Sequence, residues 1–315
     1  MCLIESNLWY LKNLSYDGKL YHYTDDAGYR GIIDPAENFD ENISLRLTRI
    51  DCLSKDPLER KHIQETVQKV AGQLKEEGHI TAAFYNLIRS YAPTTVGASI
   101  YSTDFLDYST HTPQHRLKSF VGETDYYIGC FSTNSKNQHI KSTFHSTRII
   151  GFDQLFSAVD DPHALQNIMR NGIHRVNYYN QQYPCKSLSA TFFDFYMKKV
   201  LYHDDEKESL IKEALLEIFY SRDDWENQIC MMYYLYDGFF KAKEFEPEEE
   251  VRLLVKVPRL EHYPEFWGSY HIKFQDGVKC ARQYLYLPIS MDFLDQDYIR
   301  NIKSDRESLW SSYVK

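Results

Sequence analysis

The chain has 315 residues, 43% hydrophobic and 26% charged, which excludes a disordered polymer and supplies enough apolar surface for a sizeable core. Its formal charge of −9 argues against nonspecific binding to a nucleic-acid backbone as the main activity. No apolar run reaches the ~18 residues of a membrane span, and the opening MCLIESNLWYLKN lacks the basic region and apolar stretch of a secretory signal. Six cysteines (Cys2, Cys52, Cys130, Cys185, Cys230, Cys280) form no CxxC, which speaks against a zinc site and leads us to expect a soluble, reduced, cytoplasmic protein. The 26 Tyr and 18 Phe suit half-buried surfaces and ring stacking on ligands.

In chain order, LYHYT (Leu20 to Thr24) reads as a strand, DDAGYRGII as a short helix and ISLRLT (Ile43 to Thr48) as an alternating strand. In SKDPLERKHIQETVQKVAGQLKEEG, Asp56 serves as N-cap, Pro57 as the first helical residue and Glu59 as the capping-box partner, while Gly78 ends the helix. A second helix is expected from Ile80 to Tyr91, before Pro93. Residues 93–125 show little periodicity and read as a long loop. YYIGCFST (Tyr126 to Thr133) and TRIIGFD (Thr147 to Asp153) are strands, DDPHALQNIMRNG a short helix, and IHRVNYY a strand. Residues 187–238 read as a helical block broken near YHDDE and SRDD; the strands EVRLLVKV, SYHIKF and KCARQYLYLP follow, the last two joined by a Gln-Asp-Gly turn. LDQDYIRNIKSD is the final helix. Strands at both ends with helices between predict an α+β fold with a mixed or antiparallel central sheet. The expected organisation is an extension over 1–18, one domain over 19–303 with a helical insertion at about 187–240, and a tail over 304–315.

The stretch EPEEEVRLLVKV carries the sharpest chemical signal. With a period of two, Glu249, Val251, Leu253, Val255 and Val257 share one face, and Glu248, Glu250, Arg252, Leu254 and Lys256 the other. That second face is either solvated, with Glu250 and Arg252 a surface ion pair worth under about 1 kcal/mol, or it lines a cleft. On the first strand, His22 and Thr24 share a face opposite Tyr21 and Tyr23. No histidine cluster has metal-ligand spacing, and no GxSxG, P-loop or GxGxxG occurs.

Four stretches, LYHYTDDAGYRGII, LRLTRIDCLSKDPLE, YYIGCFST and FFKAKEFEPEEEVRLLVKV, together resemble a widespread bacterial domain-of-unknown-function family with a YHYT start, an NDPxE segment, a CFS strand and a late FK…F…ExExR strand. The resemblance spans roughly residues 19–300, with Lys55 in place of the Asn of NDPxE. HIKSTFHSTRIIGFD lacks the Trp of the usual run and has Arg148 near its usual Gly. The order of an early His-Thr, a central Phe-Ser strand and a late Glu-x-Glu is also similar to ADP-ribosyltransferases.

The second resemblance implies an ADP-ribosyltransferase-like fold and NAD as substrate, with no metal. Under it, His22 and Thr24 hold a ribose or the amide, and Tyr23 or Tyr29 stacks on the nicotinamide. Ser132 hydrogen-bonds near the same ribose or orients the glutamate, Glu250 holds the nicotinamide-ribose 2′-hydroxyl and stabilises the cationic transition state, and Glu248 deprotonates an acceptor. Arg252, Arg46 or Arg148 pairs with the pyrophosphate. The implied activity is mono-ADP-ribosyl transfer or NAD glycohydrolysis of the toxin, effector or phage-defence type, toward a protein or small-molecule acceptor. A noncatalytic ligand- or protein-binding module on the same scaffold stays open beside it.

Overall fold

A computed structural model describes residues 18–34, 42–53, 59–90, 97–103, 118–153, 194–221, 225–258, 273–278 and 283–313. Strand β1 is Leu20–Thr24, and Asp25 after it accepts the Gly28 N–H to cap helix α1, Asp26–Ile33. A Cβ on Gly28 would lie 2.1 Å from the Thr24 hydroxyl, so glycine is what lets the helix fold back so closely. Strand β2, Asn42–Arg49, is followed by helices α2, Glu59–Glu76, and α3, Ala82–Ser90. Gly78, at φ 77°, ends α2 in the left-handed region; the expected cap Asp56 and Pro57 lie outside the described residues.

The expected long loop over 93–125 is corrected: β3, Gly97–Thr103, pairs antiparallel with the first half of β4, Lys118–Ser132. Small and polar residues dominate both segments (GASIYST and KSFVGET), so no apolar alternation marks them; pairing with each other makes the strands. Helix α4, Gln138–Phe144, and β5, Arg148–Phe152, come next. The helical block is corrected too, because β6, Asp194–Lys199, precedes helices α5, Asp204–Ser221, and α6, Trp225–Asp237. A 3-10 turn, Lys243–Glu248, leads into β7, Glu250–Pro258, then β8, Lys273–Gln275, β9, Tyr284–Ser290, and α7, Gln296–Tyr313. The expected helix in DDPHALQNIMRNG and strand in IHRVNYY fall outside the described residues.

Residues 304–313, read as tail, continue α7; buried Arg306 donates to the Ile33 carbonyl at 2.8 Å and fastens this helix to α1. Cys52 is disulfide-bonded, against the expectation of reduced thiols, since spacing along the chain does not report distance in space.

The nine strands form one sheet in which every ladder is antiparallel, confirming an α+β architecture among the described residues. Strand β4 is its hub, pairing with β1, β2, β3 and β7. One core joins Val251 and Leu253 of β7 to Leu45, Leu287, Ile32 and Ile302. A second packs α2, α3, α5 and α6 on Tyr126, Ile128 and Leu254. Strand β7 is therefore buried on both faces, and any charge on it must find partners inside the protein.

His145 closes α4 in the left-handed conformation, φ 51°. A side chain there costs about 1 kcal/mol that glycine avoids. We expect His145→Gly to raise the unfolding free energy measured in urea by roughly 0.5 kcal/mol after the extra unfolded-state freedom of glycine.

Candidate functional site

Strand β2 leaves the edge of β4 after pairing Thr48 with Ile128, and β1 meets it again only where Tyr21 pairs with Ser132. Between these points the two strands part, and Cys130 of the central strand is exposed although its neighbour Phe131 is buried. If β2 ran on in register, Arg46 would pair with Cys130. Instead the His22 ring fills the gap, with Nδ1 3.0 Å from the Cys130 carbonyl oxygen. A carbonyl only accepts, so Nδ1 carries the proton and Nε2 is the acceptor of the neutral ring. Burial pushes the His22 pKa down, the Cys130 hydrogen bond pulls it back up, and the Arg46 charge lowers it further.

On the other edge of β4, Ser132 pairs with Glu250 and Cys130 with Arg252. The Glu250 carboxylate accepts from Arg252 Nε at 2.8 Å and Nη2 at 3.2 Å, and lies 2.9 Å from Lys241 Nζ. Lys241 also reaches Glu248, so one ammonium bridges both carboxylates. The second guanidinium arm of Arg252 donates to the Gly238 carbonyl at 2.9 Å, and the Cys130 thiol donates to Glu250. The Glu250 N–H donates to the Tyr202 hydroxyl at 3.0 Å. Two carboxylates and two cations thus balance within a site whose four side chains are at most 9% exposed. This corrects the surface-ion-pair expectation.

Electrostatics separates the two acids. Burial pushes Glu250 up, but the Arg252 and Lys241 charges and the Arg252 hydrogen bonds outweigh it and hold the carboxyl at about 2. Burial pushes Glu248 up, Lys241 opposes it, and the Glu250 charge raises it again, leaving its pKa above the ordinary value. Burial lowers Lys241, yet Glu250 and Glu248 together raise it. The crowding of protein around its sulfur and the Glu250 charge both push the Cys130 thiol well up, so it is a hydrogen-bond donor and not a ready nucleophile.

His22 and Glu250 both touch Cys130, from strands that flank β4 on opposite edges and so lie about 10 Å apart, but they do so from opposite faces of the sheet: Tyr21 and Glu250 both pair with Ser132, and the His22 ring lies 5.7 Å from Phe131 on the other face. The other residues singled out in the sequence are placed differently. Ser132 is fully buried: it donates to the Glu248 carbonyl at 3.0 Å and accepts from Asn134 N and Asn137 Nδ2, which fills its bonding capacity. The Tyr23 hydroxyl donates to the Asn134 carbonyl and accepts the Asn137 N–H at 2.9 Å, so it ties β1 to α4. Thr24 packs over Gly28. Arg252 is corrected from ligand-binding to clamping Glu250, because its guanidinium is spent inside the protein. Tyr29 is buried, bonds Asp305 at 2.9 Å and carries Arg148 over its ring, so it has no face open to a nicotinamide. Arg148 pairs with Asp26 at 2.6 Å. Arg46 is the exposed cation beside the split.

Sequence reasoning missed three residues. Lys241 stands in the FK part of the late motif, which is the signal that could have found it. Asn137 and Tyr202 carry no local signal. Asn137 Nδ2 donates to Ser132, the Pro247 carbonyl at 2.8 Å and the Glu248 carbonyl at 3.2 Å, and its Oδ1 caps α4. It thereby fixes the turn that presents Glu248.

Among the described residues no group of three or more His, Cys, Asp or Glu could hold a metal, and no helix is long and apolar enough to cross a membrane. Fold and site define an α+β protein with an antiparallel sheet split at its central strand and a neutral buried charge cluster beneath the split. Set against protein-family models, curated proteins and solved structures, the chain has no match.

Proposed function

We propose that the protein acts on NAD at an ADP-ribosyltransferase-like site, as a mono-ADP-ribosyltransferase or NAD glycohydrolase. The observation that carries this reading is the opening at Cys130, an exposed position on a central strand with a neutral histidine on one side and an ionised glutamate on the other. The bond that breaks joins nicotinamide N1 to ribose C1′; its electron pair leaves with nicotinamide, and positive charge develops on the ribose. A carboxylate held ionised in a low-dielectric site stabilises that charge, which is the role of Glu250. Water or an acceptor nucleophile then adds to C1′ and releases a proton. Glu248, the carboxyl whose pKa stands higher, takes it. His22 Nε2 accepts from a ribose hydroxyl. On this reading the protein works in the cytoplasm on a protein or small-molecule acceptor, as a toxin, effector or phage-defence enzyme.

A second reading, a noncatalytic binding module, is favoured by one specific observation: both Glu250 oxygens are already held by cations. Incubation with NAD and chromatographic detection of nicotinamide separates the two. The enzyme reading expects release by the wild type and none by Glu250→Gln, with unchanged circular dichroism. Calorimetric binding of NAD without release supports the module, and neither binding nor release ends the NAD assignment.

A further inference from the structure

We propose that the outer face of β2, β9 and β8, at the mouth of the split, is a binding platform for a nucleoside diphosphate, with Arg46 taking the phosphates and Tyr284 the base. The alternation of the strands builds it. Leu45, Leu47, Leu285 and Leu287 turn into the core, so Arg46, Thr48, Tyr284 and Tyr286 share the opposite face. Register sets Arg46 against Tyr286, Thr48 against Tyr284, and Gln275 against Tyr284.

Two features distinguish this face from ordinary solvated sheet. First, its rings are fixed: the Tyr284 hydroxyl accepts from the nearly buried Gln283 side chain at 2.9 Å, and the Tyr286 hydroxyl donates to Gln275. The Arg46 guanidinium lies 4.8 Å from the Tyr284 ring centroid, a cation already stacked on an aromatic. Second, the face carries no carboxylate at any described position of the three strands, in a chain with 45 acidic and 36 basic residues. Exposed Arg46 makes no ion pair with a described residue, which leaves a planar five-donor fork for phosphate oxygens beside a ring that can stack a base. Continued in register, β2 would set Arg46 against Cys130, so a phosphate held by Arg46 sits beside the gap there. This site does not require the cleavage proposed above, since a nucleoside diphosphate has no nicotinamide.

Calorimetry of the full chain with ADP, adenosine and inorganic phosphate tests it. We expect the wild type to bind ADP, and Arg46→Ala to weaken ADP by roughly tenfold or more while leaving adenosine unchanged. Tyr284→Ala should weaken both ADP and adenosine, and Tyr284→Phe should restore them, because stacking needs the ring and not the hydroxyl. Absence of ADP binding by the wild type, or equal ADP affinity in Arg46→Ala with an unchanged unfolding midpoint, overturns the platform. Were Tyr284→Ala to unfold, Arg46→Ala alone decides. Nicotinamide release without ADP binding overturns only this site; ADP binding without release overturns only the reaction.

Discussion

Glu250→Ala is expected to destabilise the fold by about 3–5 kcal/mol, because it leaves the Arg252 and Lys241 cations sharing a single carboxylate, Glu248, inside the protein. Removing one member of a buried pair costs far more than the pair itself contributes, since the stranded charge cannot return to water. Urea unfolding at neutral pH measures the loss; a change below about 1 kcal/mol, the scale of an exposed pair, would show that the cluster is solvated. Glu250→Gln keeps the shape and some hydrogen bonding, so it should fall between alanine and wild type.

The same carboxylate sets an acid response. Its folded pKa of about 2 lies below the ordinary 4.5, so its contribution is fully present above the unfolded value and is lost as pH falls from 4.5 towards 2. At 1.36 kcal/mol per unit this amounts to about 3 kcal/mol. Glu248 acts with the opposite sign: its folded pKa is raised, so ionising it in the folded state carries a penalty that sets in above 4.5 and is relieved in acid. The wild type should therefore gain slightly as pH falls towards 4.5 and Glu248 takes up its proton, then lose stability through the window from pH 4.5 to 2, and Glu250→Gln should lose less there. Parallel unfolding curves for the two proteins across that window would contradict the cluster.

Asn137→Ala should cost about 2–4 kcal/mol. The change removes the cap of α4 and strips buried partners from Ser132 and from the Pro247 and Glu248 carbonyls. Asn137→Asp separates the two contributions. Aspartate still caps the Ile140 N–H, but it cannot donate, and it sets a carboxylate against two carbonyl oxygens. We expect it to be at least as damaging as alanine by thermal unfolding. Near wild-type stability for Asn137→Asp would mean that the cap is all that matters and that the Glu248 turn is held by something else.

These expectations rest on contacts that local reading reached unevenly. Strands β1, β2 and β7 and helix α1 were legible because their determinants are local: alternation in ISLRLT and EVRLLVKV, and an Asp N-cap ahead of DAGYRGII. Strands β3 and β6 were not, because neither alternates; each is a strand by virtue of its partner, β4 or β7. Period two put Glu248 with Glu250, yet Glu248 closes a 3-10 turn and Glu249, at φ 48°, breaks the strand between them. The two carboxylates meet because Lys241 draws them together, not because a pleat aligns them.

By itself the amino-acid order determined the composition of a folded α+β chain, the stop of α2 at Gly78, and which strand would carry the acidic residues, since propensity, capping and periodicity act over a few neighbours. Tertiary structure alone decided that those acids are buried and cation-clamped, that Cys130 is exposed mid-sheet, and that His22 is held as the Nδ1–H tautomer. The physical reason is that burial and charge pairing depend on what arrives from far along the chain. Gly238 and Lys241 at the end of the helical region, and the parting of β1 from β2, turn a run of glutamates into a site.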